Sequence, residues 1–286
     1  MDISTGILFG IIAMISWGAA DIFAAKASRT AGVFRTVFWS QAISAIIYLL
    51  VYPFMFKAPS ISETTIILIL ITGLLSVVSY LAFYKGLEVG KVSIISPVVA
   101  CWAAVTVILS LIFLNESLAY HQAIGVFFAI LGAILSSFRL RDILKLKARK
   151  FETGIRYALF TMLGTAIIFI LMDIIVAELG WFLPMFLIRA AAVFYLLAYA
   201  FTVKKDISFP KNSASFLAII GILEVIGFLA YGIGITKEYT AIVAPVAASF
   251  PMVTIILARI FLKETLELNQ KIGVVSVVCG LILLSL

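Results

Sequence analysis

The sequence predicts an all-α integral membrane protein, with ten transmembrane helices arranged as two inverted five-helix repeats. Three observations lead there. Of 286 residues, 64% are hydrophobic and 12% charged, with a mean hydropathy of +1.22, whereas a soluble domain carries roughly 25% charge. Apolar runs near the length of about 20 residues that a bilayer requires fall at 4–27, 33–53, 64–88, 92–114 and 118–138, and again at 153–177, 181–203, 212–235, 240–262 and 267–286. Finally, the chain repeats itself.

The stretch from Pro97 to Gly132 reads P-V-V-A-C-W, F-L-N-E-S-L, Q-A-I-G and a final Gly; from Pro245 it recurs as P-V-A-A-S-F, F-L-K-E-T-L, Q-K-I-G and a final Gly. Pro97 pairs with Pro245, Glu116 with Glu264, Gly125 with Gly273 and Gly132 with Gly280, each 148 positions apart (245 − 97). The same shift pairs Gly86 with Gly234, Gly73 with Gly221 and Gly6 with Gly154. One ancestral unit has been duplicated and fused, giving repeats at 1–138 and 153–286 joined by a basic linker at 139–152. Repeats of this size in an apolar chain are a mark of transporters, and an odd number of helices per repeat makes the second copy enter the membrane from the opposite side.

Each element has its own signals. The first run follows Asp2 and no Lys or Arg; it is read as a retained helix, since a signal peptide opens on a basic region. Gly6 and Gly10 form a GxxxG packing pattern. Pro53 and Pro59 bracket the second turn, and Pro97, Pro184 and Pro245 sit near helix starts, where proline is tolerated. Pro251 lies well inside the ninth run and predicts a kink. Gly86–Gly90 and Gly234–Tyr239 are read as hinge loops before the fourth and ninth helices. Cys101 and Cys279 lie within apolar runs and behave as small hydrophobes.

Orientation follows from charge. Every Lys and Arg except Lys57, Lys237 and the intrahelical Arg189 falls on the side of the turns after the odd-numbered helices, most densely at Arg139, Arg141, Lys145, Lys147, Arg149 and Lys150. Basic loops stay cytoplasmic, so the 139–150 loop is expected inside a plasma membrane and both termini outside. The net charge of +7 is read as orientation and headgroup contact, not as nucleic-acid binding.

F-L-N-E-S-L-x3-Q-x-I-G and its copy F-L-K-E-T-L-x3-Q-x-I-G resemble the end-of-repeat signature of the drug/metabolite transporter superfamily, and above all its ten-helix EamA-like members. P-V-V-A, P-V-A-A and the doubling fit the same family, and the likeness spans essentially the whole chain. The resemblance implies a secondary transporter of small organic solutes, often an exporter, with a central cavity between the repeats. One departure stands out. Members often carry an aromatic–glycine pair in the first helix of both halves, and here Trp17-Gly18 is matched by Thr165-Ala166, which predicts an asymmetric cavity.

Charge near the bilayer centre is costly unless paired or hydrated, which singles out Glu224 on the eighth helix and Arg189 on the seventh. By helix rise they lie at similar depth on consecutive antiparallel helices, so pairing is geometrically allowed. Two readings of Glu224 stay open: a structural lock with Arg189, or a cavity carboxylate that binds a cation or exchanges a proton. Helical spacing puts Glu224, Phe228 and Tyr231 on one face; subtracting 148 gives Ser76, Tyr80 and Phe83 on the third helix, an opposing wall. Trp17, Trp102 and Gln41, the counterpart of Arg189, complete the candidate binding residues. Asp21, Lys26, Lys85, Glu88, Asp173 and Arg259 lie toward helix ends and are read as structural or gating. Glu116 and Glu264 are read as structural anions opening helices five and ten. Asn115-Glu116-Ser117 matches a glycosylation sequon that is read as incidental.

A membrane enzyme is the rival class. There is one histidine, His121, with no HExxH, Asp-rich prenyl-binding motif, Walker loop or G-x-S-x-G, so no catalytic residue, metal or cofactor is expected. The expected partners are a small-molecule substrate, such as an amino acid or nucleobase, the lipid bilayer, and protons under the coupled reading. The protein is expected as a monomer or homodimer. A lipid-linked sugar flippase, a nucleotide-sugar or sugar transporter, and a non-transport structural subunit are the alternatives.

Overall fold

A computed structural model describes residues 4–55, 61–89, 95, 98–141, 152–262 and 265–286. Lys57, Pro59, Gly90, Lys91, Pro97, Lys263, Glu264 and most of the basic linker lie outside these, as does the side chain of Glu88.

The described residues are helical, with no strand among them. Helices α1 (Thr5–Ala31), α2 (Val33–Met55), α3 (Glu63–Val89), α4 (Trp102–Phe113) and α5 (Tyr120–Ser136) form the first half. The second half holds α6 (Glu152–Leu179), α7 (Leu183–Val203), α8 (Ala214–Ile235), α9 (Thr240–Ala248), α10 (Phe250–Leu262) and α11 (Leu268–Leu284). Seven stretches among the described residues are long and apolar enough to cross a membrane, namely α1, α2, α3, α6, α7, α8 and the α9–α10 unit. This is a multi-pass membrane protein.

The other three runs fold into shorter helices than expected: α4 has 12 residues, α5 and α11 have 17 each. Helix α4 begins only after a turn at Cys101, and the start of α5 is set by the chain before it. Asn115 takes a left-handed φ of 53° and Ala119 is extended, so 114–119 leaves the helical path. Gln122 Oε1 then accepts the Ala119 N–H at 2.9 Å, and Gln270 Oε1 does the same for Glu267 at 3.1 Å before α11. The glutamine of the repeated Q-x-I-G is thus a helix start. The expected kink is present: the ninth helix breaks at Ser249, two residues before Pro251. The first expected hinge is instead helical from Gly86 to Val89, while Thr236 to Glu238 does form a turn after α8.

Contacts between the halves recur with the halves exchanged, which is the mark of a two-fold axis. Gly6 faces Gly234, and their mates Gly154 and Gly86 face each other. Ser16 abuts Gly227, and their mates Gly164 and Ser79 do likewise. In two places a residue touches its own mate: Ser276 Oγ donates to the Phe128 carbonyl at 2.7 Å, and Arg189 donates to Gln41. A point can meet its image only beside the axis, so these two pairs fix the axis through the molecule.

Near the first pair, α5 and α11 pack antiparallel at backbone distance. A Cβ added to Gly132 would stand 2.6 Å from the Gly273 carbonyl, and one on Gly280 would stand 2.7 Å from that of Gly125. Only glycine permits this approach. At one end of the bundle Thr30 and Ser213 hydroxyls meet at 2.6 Å and Arg35 pairs with Asp206 at 3.0 Å. The Ser208 N–H holds the Asp206 carboxyl below the usual carboxylate range.

Candidate functional site

A cavity of about 310 Å³ straddles the axis. It lies in the middle of the bundle and toward the end where Thr30 meets Ser213. Its lining comes in mated pairs: Trp17 with Thr165, Asp21 with Phe169, Ser76 with Glu224, Tyr80 with Phe228, and Trp102 with Phe250. Helices α1 and α8 form one wall and their mates α6 and α3 the other; α4, α7 and α10 close the space between them.

On the α8 wall, three side chains form one network. Arg189 Nη1 donates to Gln41 Oε1, Gln41 Nε2 donates to Glu224 Oε2 at 3.1 Å, and Arg189 Nη1 lies 3.4 Å from the same carboxylate oxygen. A primary amide suits this bridge because it accepts with one end and donates with the other. The Arg189 guanidinium carbon also sits 4.5 Å from the centre of the Phe228 ring, a cation–π contact. Every charge in the network has a partner, as burial demands.

The aromatic part is continuous. Trp17 meets Phe228 at 5.0 Å, Phe169 at 6.0 Å, Tyr231 at 6.0 Å and Phe250 at 6.5 Å between ring centres, and Trp102 stacks on Phe169 at 4.4 Å. The Trp17 indole N–H points at Gly227, whose missing side chain makes room for it; among the described residues this N–H has no partner.

Of the residues expected from sequence, Glu224, Arg189, Trp17, Ser76, Tyr80, Trp102 and Phe228 line the cavity together, and so does Phe83. Gln41 and Tyr231 do not. Gln41 stands behind the wall, holding Arg189 and Glu224, and Tyr231 is fully buried behind Trp17. Sequence reasoning missed Asp21, Phe169 and Phe250. Asp21 was expected at a helix end in a structural or gating role; it faces the cavity instead, because it lies one turn from Trp17 on the same face of α1. Phe250 is the mate of Trp102, so the 148-residue shift points to it; Phe169 is the mate of Asp21 and becomes visible only once Asp21 is placed in the cavity.

Glu116 is also corrected. Its carboxylate does not open its own helix: it accepts the N–H groups of Thr240 and Ala241, at 2.7 and 2.8 Å, and so caps α9 in the other half. The Thr240 hydroxyl donates to Asp173. From Thr240 to Ala248, α9 is buried along its whole length, so the end of the bundle away from Thr30 is closed.

The model of the EamA-like transporter family matches residues 4–138 and again 152–286. The chain belongs to the EamA-like transporter family. Its membership points to a membrane transporter of small solutes. An uncharacterized transporter of Archaeoglobus fulgidus is 22% identical over 281 residues, 98% of each chain. An uncharacterized protein of Methanocaldococcus jannaschii is 31% identical over 134 residues, 46% of this chain but 96% of that one; this relative has the length of a single repeat. A solved crystal structure superposes with a TM-score of 0.81 at 14% identity, covering 100% of this chain and 99% of the other, which establishes the likeness of fold.

Proposed function

We propose that this EamA-like protein is a secondary transporter of ten membrane-spanning helices, moving a small organic solute by alternating access between two inverted repeats. The observation that carries this reading is the position of the Arg189–Gln41–Glu224 network: a charged group on the pseudo-two-fold axis, on the wall of a cavity that both halves line. A carboxylate held near mid-membrane is costly, and a pure packing contact needs no such group. Helices α5 and α11 join the seven longer spans, since 17 residues is the lower end of what a bilayer accepts, and α4 completes the ten as part of the apolar stretch Val98–Phe113. The antiparallel packing of α5 on α11 supports an inverted pair.

The bias of basic residues supports a Thr30 end on the cytoplasmic side of a plasma membrane and the capped α9 outside, with the cavity facing inward. A solute then enters from the cytoplasm, consistent with export. Opening of the outer end requires α9 to part from Glu116 and Asp173 while the Thr30 end closes. Glu224 is the group that couples this exchange to protons, with Arg189 holding it in place.

Flux of a radiolabelled amino-acid and nucleobase panel into proteoliposomes, with and without an imposed pH gradient, tests this. Accumulation should follow the gradient in the wild type and lose that dependence in Glu224→Gln. Gradient-driven flux that persists in the variant removes Glu224 from coupling; no flux for any solute removes the transport reading.

A further inference from the structure

We propose that the cavity takes an organic monocation, an amine or quaternary ammonium on an apolar or aromatic body, with the Asp21 carboxylate as its counter-ion. This rests on reading the cavity as the solute site. The charged side chains of the lining are Arg189, Glu224 and Asp21. Arg189 and Glu224 neutralise each other, and the guanidinium is further engaged by Gln41 and Phe228, so no cation is left over to receive an anionic solute. Asp21 is the surplus. It accepts from the Thr254 hydroxyl at 3.4 Å, no cation among the described residues pairs with it, and its side chain is open to the cavity. An anion so placed inside a membrane gains most from a cation brought by the solute.

The rings around Asp21 favour the same ligand. Trp17 lies one helical turn away on the same face, and Phe228 and Phe169 crowd against Trp17. Aromatic faces attract a cation within about 6 Å of the ring centre. The mates of Trp17 and Asp21 are Thr165 and Phe169, so the opposite wall offers no second counter-ion and the charged end of the solute is directed to α1. A volume of about 310 Å³ suits a ligand with one ring or a short chain.

Isothermal titration of the purified full-length protein tests this with benzyltrimethylammonium, a permanent monocation, against benzyl alcohol and benzoate as neutral and anionic probes. The cation should bind at least about tenfold more tightly than either, a difference of about 1.4 kcal/mol. Asp21→Asn, which keeps the shape beside Thr254, should bring the cation down to the level of benzyl alcohol, and Asp21→Glu should retain the preference. Undiminished cation binding by folded Asp21→Asn overturns the proposal. So does a wild-type preference for benzoate or for the neutral probe, a comparison that needs no variant to fold. Proteoliposome flux separates the two readings: a cation that binds through Asp21 but is never moved leaves this inference standing and removes transport, while flux of another solute without cation binding does the reverse.

Discussion

The α5–α11 pair and the central cavity are both built from repeat mates, yet the mates agree in one and differ in the other. Across α5 and α11, Gly125 mirrors Gly273 and Gly132 mirrors Gly280, each glycine meeting the backbone of the other half. Around the cavity, Trp17 mirrors Thr165, Asp21 mirrors Phe169, Ser76 mirrors Glu224 and Gln41 mirrors Arg189. The difference has a physical cause. A residue pressed against its partner's backbone must be small, and the two-fold imposes that demand on both copies at once. A residue facing open space answers to whatever occupies that space, so its mate is free to change. The outcome is a symmetric frame around a cavity with a charged wall and a neutral one.

The largest effect is expected where the frame is tightest. Gly132→Val would drive a side chain toward the Gly273 carbonyl and the Val277 amide, at 2.6 and 2.7 Å from its first carbon; neither backbone atom can yield without moving a helix. A loss of about 3 kcal/mol should appear as a lower melting temperature and poor yield. Phe127→Ala, lipid-facing on the same helix at 60% exposure, should cost little. Equal melting of Gly132→Val and wild type would mean that close packing on the axis does not hold the halves together.

Next in size is the charged wall. Arg189→Met leaves Glu224 as an unpaired buried anion and should cost about 3 kcal/mol, read from thermal melting in detergent. The double variant Arg189→Met with Glu224→Met removes both charges and should recover most of that loss while abolishing gradient-dependent flux. A double variant that recovers both stability and flux would reduce the pair to packing and leave Asp21 alone to carry the asymmetry of the cavity.

The sequence made the frame legible because it rests on features that survive in one dimension: hydropathy over whole helices, and a constant shift of 148 in which glycines stay aligned. The depth match of Glu224 with Arg189 was readable for the same reason, since helix rise converts count into distance. Asp21 was not, because its place toward a helix end says nothing of the way it faces, and that is set by the helical spacing that puts it on the same face as Trp17 one turn away. Glu116 was out of reach for another reason: its partner is 124 positions away, and a local rule about helix starts assigned it to the nearest helix. The bridging of Arg189 to Glu224 through Gln41 follows from the two-fold axis passing beside residue 41, which no linear reading reveals.

A smaller effect probes the aromatic face. Gly227→Ala would place a methyl group 2.5 Å from the Trp17 indole nitrogen, and the indole, unlike a backbone, can swing aside into the cavity. Stability should fall by only about 1 kcal/mol, while KM for the transported solute rises and the tryptophan emission shifts. The exchanged contact at Ser79 and Gly164 lies on the neutral wall, so Gly164→Ala should cost similar stability with less change in KM. A KM that moves equally in both variants would say that the two walls contribute alike.

The smallest expected change is at the closed end. Glu116→Gln keeps an acceptor before α9 but removes the charge that favours a helix N-terminus, a loss of about 1 kcal/mol. The cap joins a loop of the first half to a helix of the second, so its weakening should be felt where the halves must part and scarcely elsewhere. Amide hydrogen exchange should therefore quicken at Thr240 and Ala241, whose N–H groups Glu116 accepts, and stay unchanged across α5 and α11. Faster exchange in both places would mean that the cap supports the whole frame; no change at Thr240 would mean that burial of α9, not its cap, keeps that end shut.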